Sequence, residues 1–324
     1  MKLASLPQRR DGRLIVVSND LAWYADADHI VQTLQGALDE WERFAPLLET
    51  LAIELEHGVI PRRRFHEREA AAPLPRAFQR VVGAAYGDHA GQGSGEPLLE
   101  QSASDDLRPA RSPIEIADAS WDADFAGEVC VVTGDVAQGA SRDEALAVIR
   151  LVGLANAVTL RGLIPDEPAQ GLGLVQAKPA TAFSPVFATP AALGDAWQDG
   201  KLHRPLIVAR GGAPVGCAEA GEDMTVDFGM LIAHLAKTRR IGAGTIVGSG
   251  AVSNRDVDGA PARPVAEGGR GYSSIAAART AEMLRSGAAL TPGLAPGDTV
   301  RIEMRDAKGR SLFGAIEQQV VITG

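Results

Sequence analysis

Lys178 stands before Pro179 in an otherwise small and apolar stretch, Ala177-Lys-Pro-Ala-Thr-Ala-Phe-Ser-Pro185. An ammonium group in such surroundings suits a pocket, where it can hold an anion or stabilise negative charge that develops during a reaction. Arg161 ends the run Leu154-Ala-Asn-Ala-Val-Thr-Leu-Arg161, where a guanidinium serves an anion site or the negative end of a preceding helix. His89 follows Asp88 on a glycine-rich approach to a loop; the residues alone allow a general base or a merely exposed imidazole. Glu128 opens the apolar run Glu128-Val-Cys-Val-Val-Thr133, and a lone carboxylate there is free to titrate above its usual range.

Other suggestive residues read more plainly. The glycines of Gly244 to Gly250 lack the lysine and helix of a phosphate loop, so they belong to a turn and a strand. Asp223, Asp227 and His234 fall on an amphipathic helix as capping and surface groups. Cys130 reads as a small buried hydrophobe, and with Cys217 as the only other thiol neither a disulfide framework nor a zinc site is expected.

Composition bounds the rest. A chain of 324 residues, 45% hydrophobic and 23% charged, can fill one large domain with a smaller appendage. A net charge of -9 argues against a sequence-independent nucleic-acid binder, which needs cations to displace phosphate counterions. Arg62-Arg63-Arg64 is a short basic run on a solvated linker. Met1 to Leu6 meets Pro7 and charged residues too soon for a signal peptide, and no apolar run reaches 18 residues. A soluble cytoplasmic protein without a membrane partner is expected.

These residues need elements to hold them. Lys2–Leu6 and Leu14–Ser18 flank Asp11-Gly12 and predict an opening hairpin. Ile30, Leu34, Leu38, Trp41 and Phe44 recur at helical spacing, and a second helix is predicted over Leu47–Leu55. Gly91–Ser112 reads as a long loop. A strand is predicted over Glu128–Gly134, then a helix opened by the Ser141/Glu144 capping box with Ala145, Val148, Ile149, Val152 and Ala155 as its apolar stripe. From Leu206 onward short strands dominate (Leu206–Ala209, Thr245–Val247, Val300–Met304, Ile316–Ile322), with one helix over Val226–Arg239, capped by Thr225 at its start and Gly242 at its end.

Three stretches are more specific: Ala177–Pro185, Ala220-Gly-Glu-Asp-Met-Thr-Val-Asp-Phe228, and Gly244-Thr-Ile-Val-Gly-Ser-Gly-Ala-Val-Ser-Asn254. With Phe125-Ala-Gly-Glu-Val-Cys-Val-Val-Thr-Gly134 and Gly314-Ala-Ile-Glu317, their order resembles the bacterial branch of the fumarylacetoacetate hydrolase family over nearly the whole chain. The resemblance implies an α+β fold, with a β-rich fumarylacetoacetate-hydrolase-like core of curled or barrel-like sheets (73–324), a small N-terminal α/β domain (1–72), and a homodimer. It also implies a divalent magnesium or calcium ion held by two glutamates and two aspartates. That ion chelates a 1,3-dicarbonyl or acylpyruvate, a histidine activates water, and lysine and arginine stabilise the departing enolate.

By the resemblance, His89, Lys178 and Arg161 are the catalytic residues, with His89 seven residues after Val82 as in the family. Thr245 matches a substrate-binding threonine, and Glu100 stands in place of a pocket tyrosine. Glu128 matches the second glutamate of a Glu-x-Glu pair and is a residual metal ligand only. Val82, Ala126 and Ala157 replace family acids, and Ala277 lies near another. The metal site therefore reads as degenerate, with no cofactor expected unless substitute ligands such as Asp88, Glu100 or Asp105 recruit magnesium or calcium. With acids gone and cations kept, the pocket is expected to carry excess positive charge.

Two functional classes follow. One is an enzyme that acts without metal on an enolisable keto acid or 1,3-dicarbonyl such as an acylpyruvate, by C–C hydrolysis, decarboxylation, tautomerisation or cyclisation. The other is a non-catalytic ligand-binding or regulatory member. Both take a small anionic keto acid as partner, and neither takes nucleic acid.

Overall fold

A computed structural model of the protein describes residues 1–86, 96–165, 174–256 and 259–323. Its larger sheet has 12 strands, and its main path runs Arg63–Arg64, Trp23–Asp26, Arg13–Val17, Lys2–Leu6, Phe187–Ala188, Ile149–Ala157, Gly127–Thr133, Ile246–Ala251, Arg80–Gly83, Leu99–Ser102. The path is open at both ends, so the curled sheet does not close into a barrel. The opening hairpin pairs Lys2 with Val17 through Leu6 with Arg13. Its first strand then pairs antiparallel with Phe187–Ala188, so the N-terminal unit shares one sheet with the core.

Alternation along the strands sets two faces. Val129, Val131, Val152, Leu154 and Val247 face a smaller five-stranded sheet and the helix Phe228–Leu235, and this face builds the larger core. Cys130, Val132, Leu151, Ala155, Phe183 and Phe187 face the other way, toward Leu34, Leu38, Leu48, Leu51 and Leu55 of the N-terminal helices. Glu128 shares the parity of Cys130 and lies on this second face.

Several elements differ from their sequence reading. The N-terminal helices span Leu34–Asp39 and Trp41–His57, and the break falls at Glu40 while Pro46 is taken into the second helix. The Ser141/Glu144 capping box is present, but its helix is only Arg142–Ala147; Ile149–Ala157 is a central strand, seven of whose residues pair with Gly127–Thr133. A strand buried on both faces is a nearly continuous apolar run, here interrupted only by Arg150 and Asn156, so its sequence carries little alternation to separate it from a helix.

The stretch read as a loop contains strands Leu99–Ser102 and Leu107–Arg108. The helix predicted over Val226–Arg239 is Phe228–Leu235, capped by the Asp227 side chain on Met230 N at 3.0 Å and ending at Ala236, ahead of Gly242. Sequence reading missed the helix Ile275–Ser286, whose small, weakly amphipathic residues gave little periodic signal.

Candidate functional site

Cross-strand register assembles the site. Arg80–Gly83 pairs with Leu99–Ser102 so that Val82 lies opposite Glu100, and on its other side Val82 lies opposite Gly248. Gly127–Thr133 pairs with Ile149–Ala157, Glu128 opposite Ala155, and Ala157 N donates to Ala126 O at 3.0 Å. Ala155 and Ala157 lie opposite Phe183 and Thr181. Directly opposed residues share a face, so Val82, Glu100, Ala126, Glu128, Ala155, Ala157, Thr181 and Phe183 all present side chains to one surface. Gly248 permits this crowding, since a Cβ there would sit 2.6 Å from Glu128 Oε2.

Glu128 is fully buried and is not alone. Arg80, also buried, donates from a terminal nitrogen to Glu128 Oε2 at 2.8 Å, with side chains 1% and 3% exposed respectively. Burial pushes the Glu128 carboxyl up, while the charges of Arg80 and then Lys178 pull it back and Glu100 adds to the rise. The Arg80 guanidinium carbon stands 6.0 Å from the Phe183 ring centroid, and its buried Nε has no hydrogen-bond partner among the described residues.

Lys178 lies in the loop entering the Thr181–Phe183 strand. Its ammonium is 3.5 Å from Glu100 Oε1, an ion pair rather than a hydrogen bond, and its side chain is 19% exposed. That carboxylate oxygen is itself buried without a hydrogen-bond donor among the described residues. The structure thus brings Lys178, Glu100 and Glu128 together and adds Arg80. The signal for Arg80 was present but faint: an arginine two positions before Val82 in an apolar strand must share its face.

Other expected residues have partners of their own. Thr245 is fully buried beside Thr133, and its hydroxyl donates to Gly242 O at 2.9 Å. Thr133 is five residues from Glu128 on its strand, roughly 16 Å at the usual rise, so Thr245 serves the turn rather than this pocket.

Arg161 follows a strand, not a helix, and is tied to the buried Asp124 by Nε at 2.9 Å. Asp124 in turn accepts from Ile275 N at 2.7 Å and Ala276 N at 3.1 Å, holding the start of the missed helix Ile275–Ser286. Burial pushes the Asp124 carboxyl up, against the pull of Arg161 and those amides. Ala277 is on the first turn of that helix, its amide held by Ser274. His89 and Asp88 lie outside the described residues.

The expected excess of positive charge is corrected by this geometry. Arg80 faces Glu128, Lys178 faces Glu100 and Arg161 faces Asp124, so each cation has its own carboxylate.

The sequence pattern described as Fumarylacetoacetate (FAA) hydrolase C-terminal matches residues 80–321, and that described as Fumarylacetoacetase N-terminal domain 2 matches residues 1–76. The chain belongs to the fumarylacetoacetate hydrolase family. Solved structures of family members share its fold. A putative HpcE protein from Mycobacterium smegmatis is 17% identical with TM-score 0.70, over 99% of this chain and 100% of that one. The maleylpyruvate hydrolase from Sphingobium sp. SYK-6, in complex with manganese(II) and pyruvate, is 15% identical with TM-score 0.66 and full coverage of both chains. The fumarylacetoacetate hydrolase from psychrophilic Exiguobacterium antarcticum is 16% identical with TM-score 0.66, again over both full lengths. No curated protein matches the chain.

A divalent ion of the kind bound by that maleylpyruvate hydrolase does not fit the residues described here. Hard cations need several oxygen ligands. Among the described residues no three His, Cys, Asp or Glu side chains gather to hold one. Glu128 offers one carboxylate, already engaged by Arg80; Glu100, the other carboxylate on that face, faces Lys178, and the positions of Val82, Ala126, Ala155 and Ala157 supply no oxygen ligand from their side chains. Among the described residues no helix is long and apolar enough to cross a membrane.

Proposed function

We propose that this family member binds an enolisable keto acid or 1,3-dicarbonyl, such as an acylpyruvate, without a divalent metal and turns it over by acid–base catalysis: tautomerisation, decarboxylation, C–C hydrolysis or cyclisation. The observation that carries this reading is the partly exposed Lys178 ammonium, 3.5 Å from Glu100 and beside the buried Glu128. An anion entering here exchanges the loose Glu100 contact for a charge-assisted hydrogen bond from Lys178. Glu100, released, is placed to take or give a proton on the bound carbon acid, and His89 is proposed as the second acid–base group. Magnesium or calcium has no role in this reading. The assembly proposed is a homodimer in the cytoplasm, carried by the family resemblance.

A second reading is a ligand-binding or regulatory member: Glu128 is held in a buried ion pair with Arg80 and is not free to act as an acid or base. Calorimetry with oxalate and pyruvate in metal-free buffer, and the loss of acylpyruvate enolate absorbance with and without magnesium, separate the two. Metal-free binding that weakens at least about tenfold in Lys178→Ala is expected, since charge-assisted contacts contribute roughly 1.5 to 3 kcal/mol. Binding without turnover selects the regulatory reading. Equal affinities in the two proteins, or no anion binding in either, remove both.

A further inference from the structure

A carboxylate as buried as Glu128 needs a counter-charge. Lone ions in a protein interior cost several kcal/mol, and the group neutralises or finds a partner. On the surface it shares with Val82, Ala126, Ala155 and Ala157, that partner is the Arg80 guanidinium, 2.8 Å from Oε2. Arg80 is 1% exposed, spends one terminal nitrogen on Glu128, and keeps its Nε without an acceptor among the described residues. Oε2 is thus engaged by a fixed organic cation.

We infer that Arg80 is a built-in replacement for a divalent cation: it neutralises Glu128 permanently and excludes metal from this face of the sheet. The inference rests on the proposed pocket, where Glu128 lines the ligand side. A guanidinium suits the task because it stays charged at every physiological pH and offers donors in a rigid plane. A metal ion in the same place brings two charges but requires a full set of oxygen donors, which alanine at 126 and 157 does not provide. Arg80 is thus a positioning residue that sets the cation identity of the site.

The test gives the face more oxygens and asks whether Arg80 still keeps metal out. In one variant Ala126→Glu and Ala157→Asp are combined with Arg80 kept; in the second, Arg80→Met is added. Manganese(II) binding is read from loss of the free aqua-ion signal in electron paramagnetic resonance, with a parallel melting curve. The three-substitution protein is expected to bind manganese at least about tenfold more tightly than the two-substitution protein, and only its melting temperature is expected to rise with added metal. Should Arg80→Met fail to fold, Arg80→Gln, which keeps a donor to Glu128 without the charge, makes the same comparison. Equal manganese affinity in the two proteins, or none in either, overturns the inference, because Arg80 then does not compete with metal for this face. Since no keto acid is present, this outcome is independent of whether the natural protein binds one.

Discussion

At the scale of single residues, the centre of the candidate site is an ion pair that sequence reading saw from one side only. Glu128 was legible because it opens an apolar run, and Lys178 because it stands before proline among small residues. Arg80 was not, since its one signal, the shared parity with Val82, means little until the strand and the buried partner Glu128 are known. Arg161 was visible but its partner was not: Asp124 is distant in sequence, and only the pairing of Thr159 with Asp124 brings the two together. The burial of Arg80 and Glu128 fixes how they respond to substitution. Removing one charge leaves the other uncompensated in the interior, so Arg80→Met or Glu128→Met should each lower stability by about 3–5 kcal/mol. The double variant should recover most of that loss, because two apolar side chains of similar volume need no counter-charge. Urea denaturation of the four proteins checks this. A double variant as unstable as the sum of the singles means that the pair is not mutually compensating.

At the scale of elements, the short strands of the second half and the opening hairpin were readable because turn residues and alternation mark their ends. The stretch Ile149–Ala157 was not, because it is almost continuously apolar and closely follows a genuine capping box. Gly153 decides between its two readings. In a helix interior, glycine to alanine stabilises by about 1 kcal/mol. In the observed strand, a Cβ on Gly153 would lie 2.1 Å from the Phe187 ring, whose edge-on contact with Phe183 leaves it little freedom to withdraw. Gly153→Ala is therefore expected to destabilise the protein, by about 1–3 kcal/mol as overpacked cores do. The sign alone is diagnostic: a melting temperature at or above that of the natural protein would place this segment outside the central sheet. The same strand carries Ala155 and Ala157 to the candidate site, so its assignment also bears on the function.

At the scale of the whole molecule, the N-terminal strand is joined to the rest by more than its sheet register. Lys2, buried on that strand, donates to Asn19 O at 3.0 Å and Ser311 O at 3.4 Å. It lines a cavity of about 540 Å³ with Glu56, Arg204, Asp306 and Arg310. Burial, then the nearby Arg310 charge, lowers its pKa from 10.5 to about 8, against the weaker opposing pull of Asp306, Glu56 and Asp20. Because the folded pKa lies below the unfolded one, the folded state disfavours the protonated lysine. That penalty is present in full below pH 8, where both states hold the proton. Between about pH 8 and 10.5 the folded chain gives up the proton before the unfolded chain does, so the penalty is relieved and this residue's contribution to stability rises with pH, by up to about 3 kcal/mol. Lys2→Met, which has no proton to lose, isolates the effect from the tyrosines and other lysines that titrate in the same range. The stability of the natural protein relative to Lys2→Met should climb steadily from pH 7.5 to 10 in chemical denaturation (roughly the window set by those two values), while remaining flat from pH 6 to about 7. A difference that stays constant across the upper range would mean that Lys2 titrates as an exposed lysine and that the carbonyl contacts to Asn19 and Ser311 do not hold it in the interior.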